Sequence, residues 1–280
     1  MNLVFGARAH DVDFDRTPES LAAALADQDV ETVQFAPCKL FPSLPAEGAN
    51  LSPGYGQHMR RTLAERGIDI AVLSCYANLI HPDPASRDAI LSKFESYLSI
   101  ARFFGAPIVA SETGSMHEPA DGYTTDNFTE DAYRRVVESV RRLAGAGERY
   151  RTYVGIEPGR NHPIHDLDTV ERLLEDVDSE WVCIVFDPAV LIDGSNWQDE
   201  PELVEQAFDR FGERICAMHL KDFRPQDGTE ELEMVDLGDG VMNVEAVLRT
   251  AERHRPFLPV LTERTHGERI GQAIRRYRSL

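Results

Sequence analysis

Residues 215–222 read "ICAMHLKD". The run opens as a buried segment should, yet it ends in His219, Lys221 and Asp222, three groups that are costly to bury. One strand emerging into water would explain one such run. The design recurs along the chain, however, and the recurrence decides the fold. Further short, β-rich apolar runs lie at 3–8 ("LVFGAR"), 32–37 ("TVQFAP"), 69–76 ("DIAVLSCY"), 107–113 ("PIVASET"), 153–158 ("YVGIEP"), 182–188 ("VCIVFDP") and 258–264 ("LPVLTER"). Helical patterns separate them. "PESLAAALADQ" (18–28) opens on a proline suited to a first helical position. "DPASRDAILSKFESYLSIARFFGA" (83–106) keeps apolar spacing near 3.6 and meets a stop at Gly105. "DNFTEDAYRRVVESVRRLAGAG" (126–147) places acids early and arginines late, as the helix dipole prefers.

Strands that are near-continuously apolar, alternating with helices, call for a parallel sheet covered on its faces. A doubly wound open sheet and a closed barrel both satisfy this. Eight strand–helix units, and no Gly-rich fingerprint after the first strand, favour an α/β, single-domain (β/α)8 TIM barrel over residues 1–280. No Pro-, Gly- or Ser-rich linker divides the chain. The longer insertions near 38–56 and 223–243 are expected to be loops on the active face.

Composition narrows the setting. Hydrophobic content of 42% and charged content of 28% are ordinary for a soluble globular protein. No apolar run approaches the ~18 residues needed to cross a bilayer, and the start "MNLVFGARAHD" carries no secretory pattern. Cys38, Cys75, Cys183 and Cys216 form no CxxC pair and read as reduced thiols, so a cytoplasmic location is expected. Net charge is −19, with three lysines (Lys39, Lys93, Lys221) against 26 arginines. Such a surface repels phosphate backbones and anionic lipid, which argues against nucleic-acid or membrane partners. An anionic small molecule stays open, because a local cationic pocket can override the global field.

In a (β/α)8 barrel the catalytic groups project from the C-terminal strand ends. Strand five ends in Glu157, strand six in Asp187, strand seven in His219 and strand eight in Glu263. Singly, each has an ordinary explanation as a loop residue, a turn former or a core histidine. At four successive strand ends they converge. Three carboxylates in a partly dry pocket repel one another, and a divalent cation removes that problem. One imidazole with three carboxylates suits Mn²⁺ or Mg²⁺, with Zn²⁺ or Co²⁺ as alternatives.

These residues resemble the sugar phosphate isomerase/epimerase proteins of the xylose isomerase-like barrel superfamily. "GIEP" (155–158), "VFDP" (185–188), "MHLKD" (218–222) and "LTER" (261–264) are similar to its four metal-bearing strand ends. "NLIHPD" (78–83), "SETGS" (111–115) and "GDGVMN" (238–243) are similar to its third-, fourth- and seventh-strand loops. The resemblance implies one divalent ion held by Glu157, Asp187, His219 and Glu263, with Glu157 and Glu263 also moving protons. It implies His81 and His162 on the substrate side and Lys221 as a cation near the metal. After the Asp–Pro the family often carries Asn or His where this chain has Val190.

Such a site would deprotonate carbon next to a carbonyl while the metal stabilises the enediolate. One carboxylate takes the proton and the other returns one on the opposite face, which makes an isomerase or epimerase of a carbohydrate substrate. Arg160 and Arg224 are further candidates for a substrate phosphate, and Glu112 for an orienting role. Rival readings are a dehydratase using the same enediolate, an abasic-site endonuclease, and a ligand-binding barrel without catalysis. The endonuclease needs a histidine-rich cluster and a basic groove that this acidic chain does not offer. Substrate choice is expected to lie in loops 38–56, 114–126 and 223–243. Exposed helices and apolar loop residues such as Phe41 and Leu44 would permit a homo-oligomer, a dimer for example.

Overall fold

The computed structural model describes residues 1–41 and 51–280. All eight predicted runs form strands, and two short ones are added: β1 (Val4–Arg8), β2 (Thr32–Phe35), β3 (Asp69–Ser74), β4 (Ile108–Glu112), β5 (Tyr153–Glu157), β6 (Val182–Phe186), β7 (Ile215–Leu220), β8 (Asp222–Pro225), β9 (Leu232–Val235) and β10 (Pro259–Thr262). β1–β7 and β10 close a parallel barrel in the order β1-β10-β7-β6-β5-β4-β3-β2. The ring shuts where β1 pairs with β10 (Val4 opposite Pro259) on one side and β2 (Gly6 opposite Thr32) on the other. β8 and β9 form a separate antiparallel ribbon within the stretch read as a loop insertion.

Local chemistry sets the helix boundaries. Thr17 caps the helix Pro18–Asp27 through its side chain, and Asp83 accepts from the Ser86 N–H at 2.8 Å to start Pro84–Phe104. Proline at the first position of each helix removes a donor that would have had no partner. Gly105 ends the second helix with φ of 73°, a left-handed conformation that glycine enters without a Cβ penalty. The helix Glu130–Tyr150 buries Val136, Val140 and Leu143, one turn apart, against the sheet. Each such fully buried aliphatic chain contributes ~1.5–3 kcal/mol relative to exposure.

Side chains alternate along each strand. One set faces the helices and the other fills the barrel, where Val72, Ile108, Ala110, Cys183, Val185, Ala217 and Leu261 form a separate inner cluster. Phe41 differs from expectation. It is buried, packing against Phe14, Phe35 and Tyr55, so it offers no apolar surface for a partner. Leu44 lies outside the described residues. No helix among them is long and apolar enough to cross a membrane.

Candidate metal and catalytic site

The same alternation builds the site. Moving two residues toward the C-terminal end of a strand keeps a side chain on the inner face. Val185 is thus followed by Asp187, Ala217 by His219 and Lys221, Leu261 by Glu263, Gly155 by Glu157 and Ala110 by Glu112. The barrel core ends and a polar ring begins one step higher. Three further members of that ring, Arg8 on β1, Gln34 on β2 and Tyr76 just past β3, were not anticipated from the sequence. The parity that places Arg8 two residues after Gly6 was the available signal. A cavity of about 690 Å³ opens above the ring.

The structure brings the four predicted ligands together. Glu157, Asp187, His219 and Glu263 are buried, and each offers one ligand atom, all four atoms lying within 4.8 Å of one another. His219 Nδ1 is 3.1 Å from Glu157 Oε1, 3.1 Å from Glu263 Oε2 and 3.9 Å from Asp187 Oδ2. Its Nε2 lies 2.5 Å from Gln34 Oε1. That contact fixes a proton on Nε2 and directs Nδ1 at the carboxylates, the orientation a ligating imidazole needs. Asp187 Oδ1 accepts from the Ala189 N–H at 3.0 Å. Its Oδ2 has no directed hydrogen bond although fully buried, with Lys221 Nζ standing 2.7 Å away. A fully buried carboxylate whose Oδ2 lacks a directed hydrogen bond and shares one lysine with Glu263, aimed into a cluster of one nitrogen and three oxygen donors, fits a hard divalent cation.

Charges within the cluster hold one another in place. Burial opposes ionisation of Glu263, but His219, Lys221 and Arg8 outweigh it and draw its carboxyl down to about 2. Lys221 Nζ is 3.1 Å and Arg8 Nη1 2.9 Å from Glu263 Oε1. Glu157 also falls below its ordinary value: the His219 charge and hydrogen bond overcome burial. The Tyr76 hydroxyl donates to its other oxygen. For Asp187 burial wins, and its pKa rises despite Lys221. Burial alone would lower His219, but Glu157, Glu263 and Asp187 together raise it to about 9. The imidazolium therefore occupies the electrostatic role a cation would take.

The other predicted residues divide. His162 and Lys221 line the cavity. His162 is buried, with Nδ1 2.9 Å from the Gly114 carbonyl and Nε2 3.8 Å from Glu112; burial would lower its pKa, but Glu112 raises it. Arg160 lines the cavity as well, donating to the Ile192 carbonyl at 2.8 Å. His81 and Arg224 are not brought into the cavity lining. His81 Nδ1 accepts from the Asp83 N–H at 3.1 Å, supporting the start of the following helix, and its other nitrogen faces Glu118. Arg224 lies on β8 and donates to the Asp239 carbonyl at 2.9 Å. Val190, at the family's Asn/His position, contributes an apolar wall with Ile192.

Asp222, the last residue of the opening stretch, has a structural task. Its Oδ1 accepts from the N–H groups of Phe223 and Met242, and its Oδ2 from those of Gly238 and Gly240, all at 2.9 Å. This gathers the glycine-rich loop around one buried carboxylate. A Cβ at Gly240 would collide with that carboxylate and with the Phe223 carbonyl, so the loop needs glycine there. The chain consequently breaks after Leu220, and the predicted single strand 215–222 becomes β7 plus the start of the ribbon. Behind the cluster, burial and the Asp187 and Asp222 charges push Glu200 up to about 8, and its Oε1 has no hydrogen-bond partner.

Together these features define a (β/α)8 barrel whose C-terminal mouth holds a buried cluster of one histidine and three carboxylates. The chain belongs to the xylose isomerase-like TIM barrel family, whose model matches residues 22–280. No curated protein matches the sequence. Among solved structures it is similar to the 3-keto-D-glucoside 4-epimerase YcjR from E. coli, at 14% identity and TM-score 0.72 over 99% of this chain and 100% of that one. It is equally similar to the probable 3-DHS dehydratase AsbF from Bacillus anthracis, at 14% identity and TM-score 0.72 over 98% and 97%. A xylose isomerase-like TIM barrel protein from Mycobacterium smegmatis in complex with magnesium gives 16% identity and TM-score 0.70 over 94% and 88%.

Proposed function

We propose that the protein is a divalent-metal-dependent isomerase or epimerase of a small carbohydrate. The observation that carries this reading is the four-residue cluster, buried and within 4.8 Å, at the mouth of the barrel. Glu157, Asp187, His219 and Glu263 would hold the ion, and the three oxygen donors favour Mg²⁺ or Mn²⁺; the M. smegmatis relative is described with magnesium. A bound cation would supply positive charge opposite the substrate oxygens, stabilising the negative charge that builds when an adjacent C–H is deprotonated.

The chain's own residues supply the rest. Glu157 and Glu263 stand on β5 and just past β10, flanking the β6–β7 pair, and each lies 3.1 Å from the same histidine nitrogen. A substrate carbon between them would meet one carboxylate on each face. One takes the proton, and the other returns a proton with inversion. Tyr76 orients Glu157, whereas Arg8 and Lys221 orient Glu263. His162, Glu112 and Arg160 line the cavity and would meet substrate hydroxyls. The YcjR relative is an epimerase by description, which accords with this chemistry.

The test is deuterium wash-in from D₂O at a carbon next to the carbonyl, followed over a panel of keto sugars with Mg²⁺ or Mn²⁺ present. Exchange by wild type, cut at least ~10²-fold by Glu157→Gln and by Glu263→Gln, supports the assignment. Near-normal exchange in both variants refutes it.

A further inference from the structure

The chain carries three lysines among 29 basic residues, and all three, Lys39, Lys93 and Lys221, line the one cavity above the cluster; only three of the arginines do so. Surface charge in this protein is therefore supplied by arginine, and lysine is confined to this cavity. Lysine differs from arginine in offering a compact point charge on a flexible stem. Lys221 is committed to Asp187 and Glu263. Arg8 is committed to Asp11 and Glu263, and Arg160 to Ile192 and Asp193. Among the described residues, the ammonium groups of Lys39 and Lys93 have no ion pair or hydrogen bond.

The topology puts these two on one wall. Lys39 lies on the short helix Pro37–Leu40 that follows β2, and Lys93 on the helix Pro84–Phe104 that follows β3. Their chain neighbours are in contact, Cys38 Sγ lying 3.7 Å from the hydroxyl of Tyr97, one helical turn beyond Lys93. In the ring order, β2 and β3 stand opposite β6 and β7, which present Asp187 and His219. A molecule reacting at the cluster and extending across the mouth would place its far end against the two lysines. Lys39 is exposed and Lys93 half-buried on that wall, so both ammoniums are open to a group arriving across the mouth, and in a chain of net charge −19 it is the local field of such a pair that can draw an anion there.

We propose that Lys39 and Lys93 form an anion-holding subsite, so that the substrate carries a phosphate or carboxylate at the end remote from the reacting carbon. The assignment of that group as the substrate's own rests on the reaction proposed above; the subsite itself does not. The test is equilibrium binding of inorganic phosphate and, separately, of acetate to the Mg²⁺-loaded full chain, in wild type and in the Lys39→Gln/Lys93→Gln double variant. The melting temperature and the Mg²⁺ affinity are measured on the same samples. The subsite predicts saturable, salt-sensitive binding to wild type, at least tenfold weaker in the double variant, with melting temperature and Mg²⁺ affinity unchanged and with binding restored by Lys39→Arg/Lys93→Arg. Loss for phosphate alone assigns a phosphoryl group, and loss for acetate as well assigns general anion recognition that includes a carboxylate. No binding to wild type, or affinity within twofold in the double variant, overturns the subsite. If the anion binds as predicted while no keto sugar or its phosphate exchanges deuterium, the subsite stands and the reaction assignment falls.

Discussion

Substituting Asp222 by asparagine tests how the loop over the site is held. The wild-type carboxylate accepts four backbone N–H bonds, two per oxygen, all at 2.9 Å. Hydrogen bonds to a charged group contribute ~1.5–3 kcal/mol each. Asparagine has nearly the same shape but only one acceptor oxygen, so one pair of N–H donors must face an NH₂ group. Losing two bonds gives ~3 kcal/mol or more, and each 1.4 kcal/mol is a factor of ten. Hydrogen exchange at the amides of Phe223, Gly238, Gly240 and Met242 is the direct assay. One pair, either 223 with 242 or 238 with 240, should exchange ~10²-fold faster or more while the β5 and β6 amides stay protected. Equal protection at all four amides would refute the claim that this carboxylate organises the loop. Asp222→Ala would leave all four donors unsatisfied, and at twice the cost it approaches the whole stability of a domain.

Glu200→Gln should change the pH profile of stability. Its carboxyl is raised from 4.5 to about 8 by burial and by Asp187 and Asp222, so the folded state holds the proton more tightly, and stability falls as pH rises from about 4.5 to about 8. Glutamine removes that slope, and the variant's advantage in urea melts should grow by up to ~1.4 kcal/mol per pH unit across this window, then level off; a constant difference contradicts the assignment. For the metal-free protein, His219 is raised to about 9, so its charge stabilises the fold below the ordinary value of 6.5 and that contribution is lost as pH rises through about 9. Divalent-ion binding should accordingly release about one proton below pH 9, read by calorimetry in buffers of different ionisation enthalpy; no release would contradict it. Gln34→Leu removes the acceptor that orients His219 and should weaken divalent-ion affinity ~10–100-fold without unfolding the protein, which equilibrium dialysis would show.

The barrel and its four-residue cluster were legible because both follow from patterns that survive in one dimension. Apolar runs mark buried strands, and a carboxylate or imidazole closing such a run at the active end has little reason to be there without a task. Arg8, Gln34 and Tyr76 were missed because the first three strands end in residues of mixed type, and their inward parity becomes informative only once the ring is closed. Asp222 closes the same run as His219 and Lys221, yet its position next to Lys221 on the chain turns its side chain to the opposite face. His81 and Arg224 were inferred from position in the chain, and local hydrogen bonds at a helix start and on the ribbon hold them elsewhere. The ribbon of β8 and β9 escaped notice because its strands are short and half-exposed, with no apolar signature.

The most direct measurement is the metal content of the purified protein with the site found by anomalous scattering from a Mn²⁺-soaked crystal. One ion per chain, contacted by Glu157, Asp187, His219 and Glu263 and lost in Asp187→Asn/His219→Gln, is the predicted result. An ion bound elsewhere, or retained at full stoichiometry by the double variant, would contradict the account.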